Sequence, residues 1–175
     1  DNNDIIELAS SLAEGEDDLY VVVFNIVDWL KQNIEYNLTT KTVDVTQKSS
    51  WVLKNRQGVC DEFTSLFIAM CRSLGIPTRF VAGISYTSSE LFEEKWGPHA
   101  WAEIYFPSIG WVEFDPTYGQ IGYIDVSHIK FKESFGPESS SIEYLWSGVD
   151  IDDVSLNASK LSANTTLKKK QGYSV

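Results

Sequence analysis

Apolar positions recur at helical spacing through the first 74 residues and at strand spacing afterwards. Leu19, Val23, Ile26, Val27, Leu30 and Ile34 form one stripe, joined by Phe24 and Trp29, and predict a helix over 17–35. A shorter helix is expected over 4–14. Phe63, Leu66, Phe67, Met70 and Leu74 fall at i, i+3, i+4, i+7 and i+11, the apolar face of a helix over 60–74. Gly75 and then Ile76-Pro77 end it. Residues 37–48 are Thr-rich without a period and read as a loop. Ser49 or Ser50 caps a short helix over 50–56 that leads into Gly58.

From Thr78 the period becomes two. Residues 78–86 predict a strand and 87–97 a polar loop. The run from His99 to Phe106 alternates. It places His99, Trp101, Glu103 and Tyr105 on one face and Ala100, Ala102, Ile104 and Phe106 on the other. Pro107 to Gly110 supplies turn residues, Trp111 to Asp115 returns antiparallel, and further strands are expected over 121–131 and 142–154. Helices followed by strands give an α+β fold. One domain is expected over 1–155, its core about 50–130, with 156–175 a C-terminal tail or linker.

Bulk properties narrow the function. The chain has 175 residues, 43% of them hydrophobic, enough for a core without staples. A net charge of −11 opposes nucleic-acid binding, which needs cations against phosphates. The one basic run, Lys168-Lys169-Lys170, reads as a solvated tail. No window approaches the ~18 apolar residues of a membrane span, so no membrane contact by this segment is expected. Cys60 and Cys71 lie about 16 Å apart along one predicted helix, too far for a disulfide or for a shared zinc ion. No metal or cofactor is expected, and the chain is read as a monomer. Sequons at Asn37, Asn157 and Asn164 tilt toward an extracytoplasmic or cell-surface address. The start at Asp1 suggests an excised or processed piece of a longer chain.

The chemistry concentrates in three short segments. Gly58-Val59-Cys60-Asp61-Glu62 puts a sulfur at a helix N-terminus, where free N–H groups and the helix dipole favour a thiolate, although Asp61 and Glu62 oppose it. Gly97-Pro98-His99-Ala100-Trp101 and Glu113-Phe114-Asp115-Pro116-Thr117 then present a base and an acid at the edges of strands. His99 and Asp115 meet only if they share a face. An odd loop around Pro107 to Gly110, or a bulge, sets Asp115 opposite Trp101 and diagonal to His99, about 7–8 Å at Cα. An even loop would set it opposite Ala102 on the wrong face. His128 has no partner motif near it in the sequence.

These segments, together with Cys71-Arg72-Ser73-Leu74-Gly75-Ile76-Pro77 and Trp111-Val112-Glu113-Phe114-Asp115-Pro116-Thr117, resemble the transglutaminase-like superfamily of papain-like cysteine enzymes. The resemblance implies a nucleophile helix packed on an antiparallel sheet. It assigns Cys60 as nucleophile, His99 as the base that holds a thiolate and protonates the leaving amine, and Asp115 as the residue orienting His99. The backbone N–H of Cys60 is one oxyanion donor. Gln57, Asn55 and Trp51 are candidates for a second, and Trp51, Trp96 and Trp101 for cleft walls. Asp61 stands where the large animal crosslinking enzymes carry tryptophan, and no calcium loop is visible. Acyl transfer on amide bonds of a protein or peptide substrate is the leading reading, with hydrolysis ahead of crosslinking. Deglycosylation of the peptide:N-glycanase kind, and a catalytically silent adhesion module, are the alternatives.

Overall fold

The computed structural model of the chain describes residues 2–38, 47–87 and 95–136. The expected strand over 142–154, the tail, the boundary at 155, the sequons at Asn157 and Asn164, and most of the loops over 37–48 and 87–97 lie outside the described residues.

The N-terminal helices, α1 (Asn3–Ala13) and α2 (Leu19–Asn33), begin at side-chain caps. Asn2 accepts from the Ile5 N–H at 3.2 Å and Asp18 from the Tyr20 N–H at 2.8 Å. Val22 and Val23 sit in α2 despite their strand preference, because both are buried with Ile26, Val27 and Leu30. A two-residue strand β1 (Glu35–Tyr36) follows. Helix α3 (Ser49–Asn55) starts after Lys48 with no side-chain cap, so neither serine caps it as expected. It ends where Arg56 turns left-handed, and β2 (Gln57–Gly58) then pairs parallel with β1. Helix α4 (Cys60–Ser73) carries the nucleophile candidate as its first residue.

The remaining elements form one antiparallel sheet. Strands β3 (Thr78–Tyr86), β4 (Trp96–Phe106), β5 (Gly110–Asp115), β6 (Gln120–Ile121) and β7 (His128–Ser134) take the order β6-β5-β4-β3-β7. The single strand expected over 121–131 is two strands. Gly122 at φ 75° and a turn held by Asp125 separate them. The chain thus leaves the β6 edge and crosses the sheet to add β7 beside β3.

One face of the sheet packs on α4. Ala100, Ala102, Ile104, Phe106 and Phe114 join Phe63, Leu66, Phe67 and Met70 in a single core, as their periods predicted. The opposite face is also covered. His99, Trp101, Glu103 and Asp115 are all buried there, with Glu103 bonded to Arg79 and Lys130. An α+β fold with a helix-covered antiparallel sheet is therefore the observed class.

Candidate active site

The β4–β5 register decides whether His99 and Asp115 can meet. Phe106 pairs with Gly110 and Ala102 with Phe114, so the turn holds three residues and the register is odd. Ser108 and Gly110 make this turn possible by taking positive φ values. One step beyond the last pair, Asp115 falls beside Trp101, diagonal to His99. The side chains close the remaining gap: His99 Nε2 lies 2.6 Å from Asp115 Oδ2.

Asp115 is fully buried and fully used. Its Oδ1 accepts from the Thr117 and Tyr118 N–H groups at 2.8 and 3.0 Å. Its Oδ2 is shared between His99 and His128, the latter with Nε2 at 3.0 Å. Burial alone would raise this carboxyl, but the hydrogen bonds from His128 and His99 prevail and hold it down at about 2. With Nε2 of His99 committed to Asp115, Nδ1 is the ring nitrogen left to exchange a proton. Tyr118 stacks on the imidazole with centroids 4.6 Å apart, its hydroxyl 2.8 Å from Ser85 Oγ.

His128 belongs to this cluster although the sequence offered no motif for it. Its strand β7 pairs with β3, setting His128 opposite Ser85, while β4 sets His99 opposite Gly83. Two small residues on β3 therefore separate the two histidines, and their rings approach to 5.4 Å. Gly83 is obligatory here. A Cβ would lie 2.2 Å from the Ile129 carbonyl oxygen and 2.7 Å from the Trp101 ring. The one usable sequence signal was Asp125 at i−3, whose carboxylate caps the turn and reaches His128 Nδ1 at 3.1 Å.

Cys60 sits where α4 meets β4. Thr64 Oγ1, one turn on, donates to the Ala100 carbonyl at 3.1 Å. No hydrogen bond joins Cys60 to His99. Cys60 is half-buried, and desolvation of the sulfur, then the Asp61 carboxylate, push the thiol up to about 12, against the thiolate that the helix start favours. Desolvation and a neighbouring anion outweigh what the helix N-terminus contributes. The helix start is rigid, because Glu62 folds back beneath Gly58 and accepts from the Val59 N–H at 3.0 Å and the Gln47 N–H at 2.9 Å.

The other candidates separate. Gln57, on β2, accepts from Asn37 at 3.0 Å and stays half-buried. Asn55 turns its amide back to the Trp51 carbonyl at 2.8 Å, which caps α3. Trp51 lines an open groove of about 820 Å³ with Asn2, Leu8, Lys48, Lys54 and Arg56; none of Cys60, His99 and Asp115 lines it. Trp101 is wholly buried, edge-on to His128 at 5.3 Å, so it packs the histidines and walls no open cleft. Trp96 stacks edge-to-face on Tyr86. Tyr36, half exposed and missed by the sequence reading, is pushed up to about 12, chiefly by burial. Cys71 is fully buried core.

His99, Asp115 and His128 place three potential ligand atoms within 4.8 Å of one another. A zinc ion needs its ligands about 2.0–2.2 Å from one point. Here both Nε2 atoms are instead directed at one carboxylate oxygen at hydrogen-bond distance. Among the described residues, no helix is long and apolar enough to cross a membrane.

A family model described as the transglutaminase-like superfamily matches residues 6–116. The chain is 35% identical over 127 residues to an uncharacterised protein, YebA, of Bacillus subtilis, covering 64% of this chain and 17% of that protein. It is 28% identical over 88 residues to a protein-glutamine gamma-glutamyltransferase of Pseudomonas aeruginosa, covering 47% of this chain and 13% of that protein. The chain thus spans under a fifth of either relative. Among solved structures, a candidate cysteine protease from Cytophaga hutchinsonii superposes with a TM-score of 0.64 at 25% identity, over 79% of this chain and 44% of that one. The periplasmic domain of TgpA from Pseudomonas aeruginosa shares the fold, with a TM-score of 0.51 at 22% identity over 67% of this chain and 43% of that one.

Proposed function

The chain belongs to the transglutaminase-like superfamily, and from that premise we propose that it is a cysteine-nucleophile acyl-transfer enzyme acting on amide bonds of proteins or peptides. The observation that carries this reading is the buried His99–Asp115 pair, 2.6 Å apart, with the residue after His99 bonded to Thr64 of the helix that Cys60 opens. A histidine fixed in one tautomer beside a protonated thiol is an arrangement for general-base activation.

In this reading Cys60 Sγ attacks the amide carbonyl carbon as its proton passes to His99 Nδ1. The carbonyl π pair moves to oxygen, stabilised by the Cys60 N–H, with Gln57 as a candidate second donor. Collapse of the oxyanion breaks the C–N bond, and the leaving amine takes the proton from His99. A thioester on Cys60 remains. The acceptor, water or an amine, then gives its proton to His99 and attacks the thioester carbonyl. Cys60 leaves and regains the proton. Asp115 keeps Nε2 occupied throughout, so that Nδ1 stays the exchanging nitrogen.

We favour water as acceptor, hence peptidase or amidase activity by a monomer, supported by the likeness to the candidate cysteine protease. Crosslinking through a lysine amine is the second reading, supported by the likeness to a gamma-glutamyltransferase. An extracytoplasmic address is part of the proposal, resting on sequons such as Asn37. Incubation of the protein with casein and a fluorescent primary amine separates the two. New peptide termini by mass spectrometry mean hydrolysis, and label on glutamine means crosslinking. Either must vanish in Cys60→Ala and His99→Ala. Neither product, with both variants indistinguishable from wild type, would leave a binding module.

A further inference from the structure

His128 is bound at both ring nitrogens by carboxylate oxygens, one of which it shares with His99. Nε2 lies 3.0 Å from Asp115 Oδ2, and Nδ1 lies 3.1 Å from Asp125 Oδ1. The side chain has no exposed surface, whereas Asp125 is about half exposed. A neutral imidazole has one N–H and can donate to only one of these oxygens. Ser127 Oγ also lies 3.3 Å from Nδ1, but that hydroxyl donates to Asp125 Oδ1, so both carboxylate contacts are satisfied only by imidazolium. The charged groups around it agree: Asp115 from β5 and Asp125 from the turn before β7 face it, and the rings of His99 and Tyr118 flank it at 5.4 and 5.5 Å. β3 contributes uncharged Ser85 and Gly83. Burial would drive off the proton, but Asp115 and then Asp125 reverse this and raise the group above its ordinary value.

We propose that His128 is a positioning residue for the reaction: clamped as imidazolium between Asp115 and Asp125, it holds the Asp115 carboxylate on His99 Nε2 and shares its negative charge. This deepens the proposed function and rests on it for its catalytic meaning. A carboxylate already neutralised by one cation supports a second cation less strongly. His128 therefore leaves Asp115 less negative charge to offer His99. It also ties the site to a surface carboxylate that touches none of Cys60, His99 and Asp115.

The chain has only two histidines, so histidine-selective nitrogen NMR yields a spectrum of this cluster alone. At pH 7 wild type should show one imidazole protonated on both nitrogens, His128, and His99 carrying its proton on Nε2. Asp125→Asn should lower the pH at which the first loses its proton. In kinetics, His128→Gln keeps an N–H for Asp115 but no charge. It should move the acid limb of kcat/KM upward by roughly one pH unit, and Asp125→Asn should move it the same way by less, while KM changes little. A purely structural role would lower activity and leave the limb in place. That outcome, or a singly protonated His128 at pH 7, overturns the proposal. If His128→Gln does not fold, the exposed Asp125→Asn variant carries the test alone. If the NMR pattern is present but no Cys60-dependent turnover exists on any amide, the clamp stands and the enzymatic reading falls.

Discussion

Replacing Asp115 by Asn removes one charge and almost no volume, and it strikes the most connected side chain of the site. Asn keeps an oxygen for the Thr117 and Tyr118 N–H groups. Its amide nitrogen cannot accept from either histidine. Two charge-assisted bonds are lost, each contributing about 1.5–3 kcal/mol, but one imidazole can change tautomer and accept from the new amide. The expected net loss at pH 7 is about 2–3 kcal/mol. Linkage gives an independent figure. A carboxyl held at about 2 against an ordinary 3.8 corresponds to about 2.5 kcal/mol at ~1.4 kcal/mol per pH unit. The raised His128 and the lowered Asp115 report the same bond from its two ends, so they are not added. Because the folded value is depressed, this stability is present above about 3.8 and is lost as pH falls through about 2. Urea unfolding of wild type and variant should differ by 2–3 kcal/mol at pH 7, roughly 5–10 °C in Tm, and converge near pH 2. A gap under about 0.5 kcal/mol at pH 7, or one that persists unchanged at pH 2, would refute the reasoning. The tautomer switch carries a second consequence: it puts a proton on His99 Nδ1, so turnover should fall far more than stability, by orders of magnitude.

Gly83→Ala should cost about 3 kcal/mol or more in urea unfolding, since the new methyl meets a backbone oxygen of β7 that cannot rotate away; wild-type stability would show that the β3–β7 pairing is looser than described. Glu62→Ala should cost about 1–2 kcal/mol and speed hydrogen exchange at the Val59 amide, whereas Glu62→Gln, which retains an acceptor, should lose less; equal protection in all three would exclude the cap. Iodoacetamide modification of Cys60 in the resting protein should rise about tenfold per pH unit from 7 to 10 without levelling, as a thiol near 12 requires. A plateau below pH 8 would mean a preformed thiolate.

The two levels of description part company where contacts are remote in sequence. The α4 stripe and the alternation along β4 were legible because each depends on residues three or four, or two, apart. Even the His99–Asp115 contact could be framed as a parity question, which a three-residue turn answered. His128 could not, since its approach depends on the chain crossing from one sheet edge to the other and on Gly83 and Ser85 being small. The forces acting on the Cys60 thiol divide the same way. Capping and dipole effects are local to a helix start, while the burial that opposes them is set by β4 packed across it. Trp101 misled likewise: its position beside His99 was right, but its exposure depended on β7, which closes over it.

The position of β7 bears on where the smallest self-sufficient piece of this protein ends. The stretch matched by the family model stops at residue 116, twelve residues before His128. A fragment trimmed there would retain Cys60, His99 and Asp115 and would look complete by motif. It would nevertheless strip β3 of its outer neighbour, leaving an open row of backbone donors and acceptors, and would leave Asp115 with one imidazole in place of two. Such a fragment should self-associate through β3. Recombinant work on the isolated unit should therefore carry the chain at least through Ser134, the last residue of β7.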